Sequence, residues 1–162
     1  MNASGNPKYN ILVVDDDLDV NTTLALMIEF DGHKVQTAYT GEAALAMLQK
    51  GKFDLIIMEY WLPLMKGDEL VKLVKRQWPD LPIIMATSTT EELDKDVHPI
   101  AGVDCLLNKP FSMAQLRDAM VWVFERYEER RQRDLGIHEA QAGLLVEKPD
   151  QTRSAPKGDS QH

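Results

Sequence analysis

Acidic, hydroxyl and amine side chains directly follow four short apolar runs of this 162-residue chain. In chain order these side chains are Asp15 to Asp17, Glu59, Thr87 with Ser88, and Asn108 with Lys109. Carboxylate oxygens favour a hard cation such as Mg²⁺, which takes one or two protein carboxylates together with phosphate oxygens. A lysine and a hydroxyl group bind phosphoryl oxygens. Together, these residue types suit the handling of a phosphoryl group beside a magnesium ion.

Each of these segments carries little information when it is taken alone. An acidic cluster after a strand is as often the solvated start of a helix, favoured by the helix dipole, as it is a metal site. Asp17 in particular is interpreted as a helix N-cap or a first-turn anion. The indication comes from all four segments lying at the same edge of one sheet, and this depends on the elements that position them.

Five apolar runs alternate with amphipathic segments and predict those elements. The predicted strands are Ile11 to Val14, Val35 to Ala38, Leu55 to Met58, Ile83 to Ala86, and Cys105 to Leu107. The predicted helices are Leu18 to Phe30, Gly41 to Leu48, Gly67 to Gln77, a weaker one near Glu91 to His98, and Ser112 to about Arg133. Strict alternation predicts an α/β fold, a doubly wound five-stranded parallel sheet with five helices. Such sheets bind ligands at the carboxyl ends of their strands.

One folded domain with tails is the organisation that length and composition favour. The chain is 44% hydrophobic and 27% charged, as is typical of globular proteins. We divide it into an N-terminal tail (1–8), a folded domain (9–127), an extension of the last helix (128–134) and a mostly disordered C-terminal tail (135–162). The C-terminal tail is rich in Gly, Pro, Ser, Gln and Lys, and it is too short for a DNA-binding output domain.

Charge, cysteine content and hydropathy exclude several functional classes. The formal net charge of −8 argues against direct nucleic-acid binding through the overall field of the protein. The one cysteine, Cys105, forms no intramolecular disulfide or thiolate metal cluster, which fits a reducing compartment. The N-terminal residues hold no apolar segment of the signal-peptide kind, and no stretch approaches the roughly 20 apolar residues of a membrane span. We therefore expect a cytoplasmic protein without membrane contact.

Four segments of the chain together match a known pattern. They are Ile11 to Asp17, Asp54 to Pro63 with Gly67, Pro82 to Thr87, and Gly102 to Phe111. From about Tyr9 to Tyr127 the chain resembles the receiver domains of bacterial response regulators. The resemblance implies a flavodoxin-like fold with strand order 2-1-3-4-5 and a cis Lys109-Pro110 bond. It also implies a role in two-component (phosphorelay) signal transduction and no enzymatic activity of its own.

The resemblance also implies a metal site at the sheet edge. Asp15 and Asp16 are the acidic pair that binds Mg²⁺, Asp16 directly and Asp15 through water. The backbone carbonyl of Trp61 is a further ligand, and Glu59 stands where the family has a carboxylate ligand. We expect this Mg²⁺ binding to be weak.

Glu59 occupies the position of the phosphoacceptor aspartate, and Thr87 and Lys109 match the residues that bind the phosphoryl group. The extra methylene of glutamate moves the carboxylate by about 1.5 Å. In-line attack is sensitive to displacements of that size, so phosphotransfer from a histidine donor should be lost or severely slowed. The longer carboxylate instead reaches toward Thr87 and Lys109 and partly imitates the phosphorylated state.

Three further departures point away from phosphorylation-dependent switching. Leu106 stands at the position of the switch aromatic residue, Leu64 replaces a common glycine, and Pro99 shortens the predicted helix near 91–98. We therefore predict an atypical single-domain response regulator that acts by protein-protein interaction without phosphorylation. The expected partners are a sensor histidine kinase or a downstream signalling protein. A second copy is a further option, bound through the predicted helix near 91–98, the fifth strand and the last helix, with a monomer as the alternative.

Two other interpretations of the acidic edge stay open. In the first, the chain is a Mg²⁺-dependent receiver that still accepts a phosphoryl group from a histidine kinase, with Mg²⁺ bound by Asp16 and Glu59. In the second, it is a Mg²⁺-dependent phosphatase of the haloacid-dehalogenase type, with Asp15 as nucleophile and Asp17 as acid. That family has Thr or Val where this chain has Asp19, so we expect no turnover of phosphoesters.

Overall fold

Five parallel strands form one sheet in the computed structural model, which describes residues 7–88 and 100–144, with side chains up to residue 136. The strands are β1 (Asn10–Val14), β2 (Lys34–Ala38), β3 (Leu55–Met58), β4 (Ile83–Thr87) and β5 (Cys105–Asn108). Their order is β2-β1-β3-β4-β5, and every neighbouring pair is parallel. The predicted sheet and its strand order are confirmed.

Four helices accompany the strands within the described residues. They are α1 (Leu18–Phe30), α2 (Gly41–Lys50), α3 (Gly67–Gln77) and α4 (Met113–Leu144). The predicted helix near 91–98, together with Pro99, lies outside the described residues. The Oδ1 atom of Asp17 accepts hydrogen bonds from the backbone N–H groups of Asp19 (2.9 Å) and Val20 (3.2 Å). Asp17 is therefore the N-cap of α1, as predicted.

Apolar side chains cover both faces of the sheet. On β1, Leu12 and Val14 join one core with residues of α2 and α3, whereas Ile11 and Val13 join a second core with residues of α1 and α4. All four side chains are 0% exposed. Burial on both faces explains why the central strands β1, β3 and β4 form continuous apolar runs, whereas the edge strand β2 mixes apolar and polar residues. The polar residues that follow these strands are thus positioned by a closely packed core.

The end predicted for the last helix, near Arg133, is wrong, because α4 continues to Leu144. Six of the residues 135–144 are good helix formers (Leu, Glu, Ala or Gln), whereas every Pro, Ser and Lys of the predicted tail lies beyond Leu144. The chain separates into two compact units, 1–128 and 129–162, so the helix runs past the end of the first unit. Residues 145–162 lie outside the described part of the chain. No helix in the described ranges is long and apolar enough to cross a membrane.

Leu64, in the loop between β3 and α3, has a φ of 68° and is 92% exposed. Side chains with a Cβ rarely adopt this left-handed conformation, which glycine adopts without steric cost. We expect Leu64→Gly to raise the free energy of unfolding in urea by about 1 kcal/mol. Leu64→Ala is the control, because alanine keeps the Cβ that causes the strain. An equal gain from both variants would contradict this explanation.

Candidate functional site

The carboxyl ends of β1, β3, β4 and β5 bring four polar side chains together. Backbone hydrogen bonds continue past the strand ends, from Glu59 N–H to the Val14 carbonyl (2.9 Å) and from Lys109 N–H to the Thr87 carbonyl (3.0 Å). Asp15, Glu59 and Thr87 are buried. The side chain of Lys109 is 16% exposed. Acid, hydroxyl and amine therefore lie together in one largely buried cluster, the polar pocket of this domain. The Lys109-Pro110 bond at its edge is cis, as predicted.

Both carboxylate oxygens of Glu59 are hydrogen-bonded. Its Oε2 accepts a hydrogen bond from Lys109 Nζ at 2.8 Å. Its Oε1 accepts from the backbone N–H groups of Tyr60 (2.7 Å) and Trp61 (3.2 Å). The Thr87 side chain also hydrogen-bonds this carboxylate. Glu59 thus folds back onto its own loop and has contacts to the two residues expected to bind a phosphoryl group.

Lys109 joins Glu59 to the carboxylate of Asp15. Its Nζ lies 2.5 Å from Asp15 Oδ2 and 2.8 Å from Glu59 Oε2. The other oxygen of Asp15, Oδ1, accepts a hydrogen bond from the backbone N–H of Asp17 at 2.9 Å. One ammonium group is therefore shared by two buried carboxylates. Such pairing is required for charges at this depth, because unpaired buried carboxylates are costly.

The pairing shifts the pKa values of both Glu59 and Lys109. Burial alone would raise the pKa of the Glu59 carboxyl, but hydrogen bonds from Lys109 and Thr87, the Lys109 charge and the Trp61 N–H outweigh burial and lower it. Burial alone would lower the pKa of the Lys109 ammonium, but hydrogen bonds to Asp15 and Glu59 and the charges of both carboxylates raise it. Both shifts favour the charged forms. The pocket therefore holds ionised groups across the neutral pH range.

A family model described as "Response regulator receiver domain" matches residues 11–121 of the chain. The chain belongs to this receiver family. Receivers are the domains of response regulators that take part in two-component signal transduction. Two-component signalling is therefore the general function of this domain. The haloacid-dehalogenase alternative is a different family and is not the one matched.

Several curated and solved relatives resemble this receiver. It is 36% identical over 118 residues to the alkaline phosphatase synthesis transcriptional regulatory protein PhoP of Bacillus subtilis, covering 73% of this chain and 49% of the relative. It is 33% identical to the response regulator SaeR of Staphylococcus aureus, covering 66% and 46% respectively. The chain spans about half the length of these curated relatives.

Two solved structures align with the receiver fold. The chemotaxis response regulator CheY4 of Vibrio cholerae has a TM-score of 0.66 and 33% identity, covering 72% of this chain and 99% of that one. The response regulator TrrA of Thermotoga maritima, solved in complex with Mg²⁺-BeF, has a TM-score of 0.65 and 26% identity, covering 71% and 98%. Receivers generally bind Mg²⁺ at the phosphorylation site.

Two of the side chains predicted to bind Mg²⁺ in this receiver, Asp15 and Glu59, are paired with Lys109 in this structure. Within the described residues, no group of three or more His, Cys, Asp or Glu side chains is placed to hold a metal ion. The carboxylates of Asp15 and Glu59 are turned to Lys109, while Asp16 is exposed. An ammonium group already lies between two of the expected ligands. Mg²⁺ would therefore compete with Lys109 for the same oxygens.

The two remaining predicted site residues, Leu106 and Trp61, are both exposed. Leu106, at the switch aromatic position by resemblance, lies on β5 and is 47% exposed. Trp61 is 43% exposed, and its ring centroid is 5.1 Å from Lys66 Nζ. The backbone N–H of Trp61 binds Glu59 directly. Trp61 is therefore linked to the pocket through its backbone, whereas the side chain of Leu106 is apolar.

Ionisation of Glu59 should make the stability of the receiver depend on pH. The pKa of Glu59 is lowered in the folded domain. The charged carboxylate therefore stabilises the fold at pH values above the ordinary pKa of a carboxyl group. This contribution is lost as the pH falls through the folded-state pKa. We expect the stability difference between the native protein and Glu59→Gln to shrink on acidification in urea-unfolding series. A difference that stays constant or grows as the pH falls would contradict the assignment.

Asn21 is a buried pocket neighbour that the sequence analysis missed. It is 0% exposed on α1, and its Nδ2 donates to the backbone carbonyl of Asp15 at 2.9 Å. A signal for it was present, because Asn21 precedes Leu24 and Ile28 by three and seven residues. That spacing places a polar residue on the apolar stripe of an amphipathic helix.

Proposed function

We propose that this receiver acts as an interaction module whose conformation is set by Glu59 and not by phosphorylation. The observation that carries the proposal is the pairing of Glu59 Oε2 with Lys109 Nζ at 2.8 Å. By resemblance, Lys109 and Thr87 are the groups that bind a phosphoryl group in receivers. Here both hydrogen-bond the Glu59 carboxylate. The glutamate therefore provides, within the chain, the negative charge that a phosphoryl group would bring.

The hydrogen bonds of Glu59 also oppose its use as a nucleophile. An attacking carboxylate oxygen needs a free lone pair aimed at the phosphorus, at near-attack distance. Oε1 accepts two backbone N–H bonds and Oε2 accepts from an ammonium. The lowered pKa reflects the same contacts, and a more stabilised anion is a weaker nucleophile. We infer that the role of Mg²⁺ in charge neutralisation is taken over by Lys109, so that binding of the metal is weak.

The partner is a protein of a two-component pathway, either a sensor histidine kinase or a downstream signalling protein. The module acts on it by contact, without turnover of a substrate, and we place it in the cytoplasm. A homodimer through β5, α4 and the helix predicted near 91–98 remains part of this proposal. Exposed Leu106 on β5 and Trp122 on α4 support that surface, at 47% and 44% exposure.

Phosphoryl transfer to the native protein tests this function. The protein is incubated with acetyl phosphate and Mg²⁺, and intact-mass spectrometry measures the fraction that carries a phosphoryl group. We expect no detectable incorporation under conditions that phosphorylate a receiver with an aspartate acceptor. A stoichiometric acyl phosphate mapped to Glu59 would overturn the proposal and favour a receiver that still works by phosphotransfer.

A further inference from the structure

Asn21 is a polar residue on the core-facing side of α1. It is 0% exposed, and the stripe on which it lies continues with buried Leu24 and Ile28. Asparagine is a poor helix former, and a buried amide is costly unless its hydrogen bonds are made. An apolar residue would serve core packing better at this position. The side chain therefore needs an explanation in the contacts that it makes.

The amide nitrogen of Asn21 donates to two backbone carbonyl groups. One is the Asp15 carbonyl, at 2.9 Å, and the other is the Ala38 carbonyl, at 3.0 Å. The Ala38 carbonyl also accepts a hydrogen bond from Asp15 N–H at 3.1 Å. Both acceptors require a donor, so the Nδ2 atom and not the Oδ1 atom must face them. Asn21 therefore ties the backbone at Asp15 to the last residue of β2.

We propose that Asn21 is a positioning residue for the pocket, which holds Asp15 so that its carboxylate shares Lys109 with Glu59. The backbone of Asp15 is held on both sides of its Cα, by its own N–H and by its carbonyl. The Asp15 side chain extends from this fixed backbone, and its Oδ2 lies 2.5 Å from Lys109 Nζ. The inference rests on the proposed function in one respect, because both concern the pairing of Lys109 with Asp15 and Glu59.

Loss of the two amide bonds should be visible at Lys109. Asn21→Leu is close to asparagine in shape but has no donor, and Asp15→Asn removes the charge that Asn21 is proposed to position. The readout is the ¹H–¹⁵N signal of the Lys109 ammonium, compared in the native protein, both variants and the double variant. We expect Asn21→Leu to shift or broaden this signal as Asp15→Asn does. The double variant should show no further shift, because Asn21 acts through Asp15.

A merely structural role of Asn21 gives a different pattern. The amide signals of Tyr60 and Trp61 report on Glu59, whereas the Asn21 side chain hydrogen-bonds Asp15 and Ala38, so these amide signals should keep their native positions. An unchanged Lys109 signal in folded Asn21→Leu, or shifts that add in the double variant, would overturn the inference. Equal shifts of the Tyr60 and Trp61 amide signals would also overturn the inference, because they would indicate that the whole pocket is less ordered. Phosphorylation of Glu59 would overturn the proposed function while leaving this comparison intact.

Two further variants complete the experiment. Asn21→Ser has one hydroxyl hydrogen and keeps at most one of the two bonds, so a smaller shift in the same direction is expected. It replaces Asn21→Leu if that variant does not fold, and an unchanged Lys109 signal would then overturn the inference. Thr22→Val, at the neighbouring exposed position of α1, is the matched control and should leave the Lys109 signal unchanged. A shift in the control equal to that of Asn21→Ser would also count against Asn21.

Discussion

Lys109→Met is expected to lower the free energy of unfolding by about 3 kcal/mol, because removing one partner of a buried ion pair leaves an uncompensated charge. Two carboxylates depend on this one ammonium, Asp15 at 2.5 Å and Glu59 at 2.8 Å. Both carboxylates are buried, so solvent cannot replace the lost cation. Urea unfolding at neutral pH measures the loss. Combining Lys109→Met with Glu59→Gln should recover part of it, since one unpaired charge is then removed.

A surface ion pair provides the control for Lys109. Lys72 pairs with Asp68 at 3.3 Å one helical turn away on α3, and its side chain is 69% exposed. Such pairs contribute about 0.5 kcal/mol or less, so Lys72→Met should change stability little. A loss of unfolding free energy in Lys109→Met no larger than that in Lys72→Met would contradict tight pairing in the pocket.

Glu59→Asp is expected to accept a phosphoryl group from acetyl phosphate and Mg²⁺ at least about 100-fold faster than the native protein, since misplacement by about 1 Å can cost that factor. The shorter side chain cannot span the same contacts. It withdraws from Lys109 and Thr87 and leaves both able to bind an incoming phosphoryl group. Intact-mass spectrometry over time gives both rates.

Glu59→Gln is the matched control for this gain, because it keeps the length of the native side chain but has no carboxylate. It should incorporate nothing. Equal rates for the native protein and Glu59→Asp would show that the extra methylene does not block transfer. Failure of both to react, in a folded Glu59→Asp protein, would show that another departure, such as Leu106, also closes the site.

The sheet could be predicted from the sequence because its physical cause is local. Strands buried on both faces, such as β1 and β3, must be apolar throughout, and parallel neighbours require the helical crossovers that separate them. The end of α4 could not be predicted in the same way. The composition of 135–162 as a whole is that of a disordered tail, yet its first ten residues are helical. An average over the whole segment hid the helix-forming residues of its first part.

The composition of the pocket could be predicted, but its pairing could not. Residue type and strand ends were enough to place Asp15, Glu59, Thr87 and Lys109 at one edge. Lys109 is 94 positions from Asp15 and 50 positions from Glu59 in the sequence. Which carboxylates it binds therefore depends on the tertiary structure. The exposure of Asp16 likewise depends on how the β1–α1 loop turns. Asn21 was missed because its partners are backbone carbonyl groups, which every sequence contains.

The geometry of Glu59 in crystals grown with excess Mg²⁺ and acetyl phosphate tests the central claim most directly. We predict an unmodified Glu59 whose Oε2 stays within hydrogen-bonding distance of Lys109 Nζ, with no metal ion between Asp15, Asp16 and Glu59. A metal ion bound by Asp16 and Glu59 with Lys109 turned away, or a phosphoryl group on Glu59, would contradict it.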